Sequence, residues 1–149
     1  MNQVCLSIAL VQKRSPAGNR WLVQRDTPGR SWQLIVSQRL ESESFRETVT
    51  REVAWRLELD RHRDLLVSNM AQLSIEFEEQ KRDERVHYAL AFYNVQIYRS
   101  GALEQVEPRK DIQWLTAAEI CSGETTCGES IDSRVVRWIN QWKVLRPWQ

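Results

Sequence analysis

The chain has no marked excess of either charge: 21 Lys and Arg stand against 20 Asp and Glu, for a net charge of +1 and a pI near 7.7. Without an overall basic field, a dedicated nucleic-acid binder is not expected, and any polyanion contact has to be built locally. Long hydrophobic runs are also missing. The longest, Val4–Val11, is too short to cross a bilayer, has no positive stretch before it and no small-residue cleavage site after it, so it reads as a buried strand. No membrane partner is expected. Cysteine is sparse and odd in number: Cys5, Cys121 and Cys127 form neither a redox pair nor a zinc knuckle, and His62 and His87 lie far from them in sequence. Reduced thiols in a cytoplasmic protein are the expectation, with Cys5 as a small apolar core residue. Repeats, low-complexity tracts and a linker are absent, and 149 residues suffice for one well-buried core but not for two ordinary domains.

What is present alternates between strand and helix patterns. Ser15-Pro16-Ala17-Gly18-Asn19 separates two apolar runs and predicts a hairpin from residues 3–12 to 20–24. Thr27-Pro28-Gly29-Arg30 breaks the chain before Trp32. Residues 65–75 read as a strand, the charged run 76–85 as a loop or hairpin tip, and 86–98 as a long strand buried on both faces near its centre, which suits a central position in a sheet. Near the end, Ile131, Val135, Trp138, Ile139 and Trp142 recur at helical spacing and predict an apolar stripe against that sheet.

The segment from 44 to 58 is the richest. Ser44 followed by Glu47 is a capping-box pattern, so a helix should begin near Phe45 and run to about Glu58. At about 100° per residue, Phe45, Val49, Val53 and Leu57 gather on the side facing the sheet. Glu52, Trp55 and Arg56 fall together on one flank beside Thr48, and Glu47, Ala54 and Glu58 on the other.

Glu43, Arg51-Glu52, Val53 and Leu59 keep the spacing of the pattern Gly-x5-Glu-x7-Arg-Glu-hydrophobic-x-Glu-Glu-x-Gly-hydrophobic, and in this the chain resembles the Nudix (MutT-like) hydrolase family. Trp32, the Leu22-Val23-Gln24-Arg25 segment and Trp114-Leu115-Thr116-Ala117-Ala118-Glu119-Ile120 extend the resemblance over nearly the whole chain. The resemblance implies one domain over residues 1–149 with an α/β/α sandwich fold around a central mixed sheet. It also implies a helix that holds divalent cations, usually magnesium, against the diphosphate of a nucleoside diphosphate derivative.

The pattern is broken where it matters for metal. Ser37 replaces the leading glycine, Trp55-Arg56 the Glu-Glu pair and Glu58 the second glycine, and Ile35-Val36-Ser37 stands in place of Pro-Gly-Gly. Of the three helix acids only Glu52 remains, so it is the sole residual metal ligand and the only catalytic candidate.

Three readings follow. In the first, conventional magnesium-dependent pyrophosphohydrolysis is lost and the pocket binds a nucleotide or other phosphate-containing small molecule as a sensor, carrier or regulatory module. Arg25, Glu52, Trp55 and Arg56 form the ligand site, while Glu43 and Arg51 brace the loop–helix junction. In the second, the chain is an active Nudix-type diphosphate hydrolase that binds Mg2+ through Glu43, Glu52 and a substitute acid among Glu76, Glu78, Glu79, Asp83 and Glu84. In the third, the pocket is filled by its own side chains and seven tryptophans serve protein contacts, a homodimer being one form. Glu52 and Arg56 also fit an ordinary helix-surface ion pair worth about 0.3–0.5 kcal/mol.

Overall fold

The computed structural model describes residues 2–149. In chain order its elements are β1 (Asn2–Ser15), β2 (Gly18–Gln24), β3 (Ile35–Gln38), α1 (Phe45–Leu57), β4 (Leu65–Val67), β5 (Leu73–Lys81), β6 (Glu84–Ile97), α2 (Ser100–Val106), β7 (Ile112–Leu115), α3 (Ala117–Ser122) and α4 (Ser133–Gln141). The strands build one seven-stranded mixed sheet along the path β4-β6-β1-β2-β7, with β3 on β1 and β5 on β6.

β1 organises the sheet. One of its edges runs parallel to β6 from Asn2↔Val86 to Val11↔Val95. The other edge is shared: residues 6–9 pair with β3 and residues 12–15 with β2, through the Ser15↔Gly18 turn that the Pro16-Ala17 pair predicts. Helices pack on both faces of this central part of the sheet, which is why the centres of β1 and β6 carry apolar residues at consecutive positions rather than at alternate ones.

Two cores result. On one face Ile8, Leu10, Trp21, Val23, Tyr88, Leu90 and Phe92 meet α3 and α4, with Trp138 fully buried among them. On the other, Ala9, Val11, Leu22, Ile35 and Val95 meet Val49, Val53 and Leu57 of α1, and Val106 of α2. The molecule is thus an α/β/α sandwich. The apolar positions of α1 and α4 fall where helical spacing puts them, except that Phe45, under the Arg39 guanidinium 5.4 Å from its ring, and Trp142, the C-cap of α4, are only half buried.

Three segments depart from the expected elements. Residues 65–75 form two strands, because after Val67↔Val95 the chain uses residues 68–72 to advance only to Phe92, where Leu73 pairs. The charged run 76–85 is mostly strand: β5 and β6 continue to a two-residue turn at Arg82-Asp83, with Arg82 left-handed at φ 54°. The short helix α2 has no side-chain cap and is held by burial of Ala102 and Val106, so it left no pattern in the sequence.

Candidate functional site

The helix α1 begins as its sequence requires. Ser44 accepts the amide of Glu47, and the Glu47 carboxylate accepts the amide of Ser44. Just upstream, Ile35-Val36-Ser37 lies in β3 rather than in a loop, paired with Ala9, Ile8 and Ser7. β-Branched Ile35 and Val36 favour extended backbone, so the approach to the helix is a strand.

A four-residue charge network joins the strand to the helix. Arg51 grips Glu43 with Nε at 2.7 Å and Nη2 at 3.1 Å, and Thr48 donates to the same carboxylate at 3.0 Å. The Arg51 guanidinium holds the Glu43 carboxyl below its usual range, and Thr48 adds to this against the opposing effect of burial. Arg51 also reaches Glu52 through Nη1 at 3.3 Å. Glu52, 9% exposed, takes three donors in all: Ser37 Oγ at 3.2 Å and Arg51 Nη1 on one oxygen, and Arg56 Nε at 2.9 Å on the other.

Arg56 therefore lies across Glu52, one turn further along the helix. Only its Nε has a protein partner, and both Nη groups are without one among the described residues. They belong to a cleft of about 800 Å³ lined by Gln24, Asp26, Ala54, Trp55, Arg56, Glu58, Arg109 and Asp111. Trp55 stands at its wall, 74% exposed. The cleft takes residues from both flanks of α1, since Ala54, Trp55 and Glu58 adjoin one another at the end of the helix.

Trp55 and Arg56 are thus brought together, with Glu52 behind them. Arg25 is not. It leaves β2 on the opposite side from Gln24 and Asp26, stacks on Trp32 at 4.2 Å and pairs with Glu129 at 2.5 Å, so it belongs to the α3/α4 face and not to the same ligand site. The acid-rich run lies away from the cleft: Glu76 faces His87, Glu78 pairs with Arg85, Glu84 accepts from Asn2, Glu79 accepts from Arg137 and Trp138, and Asp83 sits in the turn between β5 and β6. Among the described residues no three Asp, Glu, His or Cys side chains are grouped so as to hold a metal ion.

The floor of the cleft was not foreseen. Asp111 Oδ2 accepts both Gln24 Nε2, at 3.0 Å, and Arg109 Nη2, at 2.7 Å, while Arg109 Nε reaches Oδ1 at 3.0 Å. The Arg109 fork, and secondarily the Gln24 amide, keep the Asp111 carboxyl below its ordinary range. Gln24 and Asp26 could have been found by strand alternation around Arg25. Nothing in the local sequence sets Arg109 and Asp111 apart.

A mixed sheet between two helical layers, with a capped helix behind the Glu43–Arg51 brace, defines a Nudix-like fold, and the solved structures agree. The Caenorhabditis elegans Ap4A hydrolase superposes with a TM-score of 0.62 at 8% identity, over 97% of this chain and 98% of that one. A Nudix hydrolase from M. smegmatis, RenU, gives 0.59 at 12%, over 97% and 87%. Shewanella oneidensis NrtR complexed with a 27mer DNA gives 0.61 at 13%, over 92% of this chain and 59% of that one. No family model matches the sequence, and no curated protein matches it. At such identities the likeness is one of fold.

Proposed function

We infer that this Nudix-fold chain has exchanged metal-dependent pyrophosphohydrolysis for metal-independent binding of a nucleotide or a related phosphate-containing molecule, in a sensing or regulatory role. The observation that carries the reading is the Arg56 guanidinium bonded to Glu52, the last of the helix acids. The magnesium implied by the fold family does not suit these residues. Glu52 already accepts two guanidinium donors and a hydroxyl. At about 4 Å and an effective dielectric near 20, a unit charge pair repels by roughly 4 kcal/mol, and a divalent ion beside Arg56 would meet about twice that. Trp55 supplies no oxygen ligand, and β3 replaces the turn.

The same exchange equips the cleft for an organic ligand. The exposed indole offers a stacking surface, and the free Nη groups of Arg56 can donate to phosphate oxygens as a fork.

Calorimetric titration with magnesium or manganese is expected to reveal no tight site, while nucleotides raise the melting temperature equally with and without metal. A micromolar metal site abolished by Glu52→Gln, or metal-dependent release of a phosphorylated product, would establish the hydrolase instead.

A further inference from the structure

We propose that Gln24 and Arg109, held side by side on Asp111 at the floor of the cleft, read the hydrogen-bonding edge of a nucleobase. This rests on the nucleotide-binding reading above and assigns the end of the ligand that enters first.

The two residues converge on a single carboxylate oxygen. A carboxylate only accepts, so the Gln24 amide must turn its NH2 towards Asp111, and this fixes which atom is left over. That atom, Oε1, is buried without a partner, and Gln24 as a whole is 5% exposed. Arg109 spends Nε and Nη2 on Asp111 and leaves Nη1, which is also buried without a partner. The floor therefore holds an unfilled acceptor and an unfilled donor in neighbouring side chains. Buried groups of this kind are rare because each carries a desolvation cost until something pairs with it.

An acceptor beside a donor is complementary to an N–H beside a ring nitrogen or carbonyl, which every common nucleobase presents on its edge. Both atoms are buried in the free protein, so contact requires the Gln24 amide to turn about its broad terminal torsion and the Arg109 guanidinium to shift as the base enters. The exposed Trp55 on the wall of the same cleft supplies the face on which such a ring stacks. Charge points the same way. Asp26, Glu58 and Asp111 line the cleft with Arg56 and Arg109, so the interior does not suit a polyphosphate, whereas a neutral ring can enter and leave a phosphate near Arg56.

The test compares adenosine, guanosine, cytidine and uridine monophosphates with ribose phosphate by calorimetry on the intact protein. It includes, for each base, the analogue whose edge N–H groups are replaced by N-methyl. At least one nucleotide is expected to bind tenfold or more tighter than ribose phosphate, with methylation weakening it about tenfold. Gln24→Leu, checked for folding by circular dichroism, should remove most of the difference between the parent and methylated base. Equal binding of ribose phosphate and all nucleotides would overturn base reading while leaving a phosphate site, as would methylated bases that bind undiminished. Failure of every nucleotide and of ribose phosphate to bind would overturn both readings.

Discussion

Arg51 connects Glu43 to Glu52, and its removal should be felt more than an exposed ion pair would suggest. In Arg51→Met the Glu43 carboxylate keeps Thr48 and loses both guanidinium bonds. A loss of about 2 kcal/mol is expected from the urea midpoint at pH 7. The sign with pH follows from the lowered Glu43 value. A depressed carboxyl contributes stability that is complete above its unfolded value, near 4.3, and lost as pH falls through the folded value. The variant should therefore approach the wild type in stability below about pH 4, and a constant difference down to pH 3 would show that Glu43 is not the group concerned. Glu58 is the other telling residue. It ends α1 in the left-handed region at φ 56°, with Leu59 N donating to Ala54 O at 2.8 Å, where α3 ends on Gly123 at φ 77°. A non-glycine residue there costs roughly 1–2 kcal/mol, and glycine costs roughly 0.5–1 kcal/mol in chain entropy, so Glu58→Gly should stabilise by about 0.5 kcal/mol. An unchanged or lowered urea midpoint would mean that the Glu58 side chain contributes contacts of its own.

At the scale of the element, α1 carries most of what could be read beforehand. Its cap, its span and its buried stripe are local properties, set by hydrogen bonding within one turn and by the 3.6-residue period. The i,i+4 spacing likewise made the Glu52–Arg56 bond visible as chemistry, whereas the Glu43–Arg51 brace, eight residues apart, followed only from the family resemblance. The cleft was not visible, because Arg109 and Asp111 come from the far end of the chain and meet Gln24 only when β7 pairs with β2 at Gln24↔Ile112. Arg25 shows the same limit from the other side: residue type suggested a phosphate contact, and strand alternation turns it to Trp32 and Glu129. A direct test of the helix flank is to restore the two acids. Trp55→Glu with Arg56→Glu should raise magnesium affinity at least tenfold by calorimetry, because it removes a repelling cation and adds two carboxylates. No turnover is expected of this variant, since Ile35-Val36-Ser37 stays in β3.

At the scale of the molecule, the two cores lie on opposite faces of one sheet, and β1 and β6 supply residues to both. Loss of either layer exposes the strands that support the other. Residues 1–149 are therefore expected to unfold as a single domain, with far-ultraviolet dichroism and tryptophan fluorescence giving coincident urea transitions. Separate transitions would show that the α1 and α4 layers are independently stable. Net charge near zero at neutral pH implies weak electrostatic repulsion between copies, so light scattering at that pH is the condition under which a homodimer would be easiest to detect.

The sequence by itself determined the elements whose signals are local: the Pro16-Ala17 hairpin, the Ser44 cap, the apolar stripes of α1 and α4, and the placing of Trp55 and Arg56 on the flank of Glu52. Each depends on residues within a turn or two, where backbone geometry leaves few choices. Tertiary structure alone decided which polar groups share a cavity. It sent Arg25 to the other face and brought Gln24 to Asp111, because proximity between distant segments is set by strand register, and a shift of one residue would have reversed both of those directions.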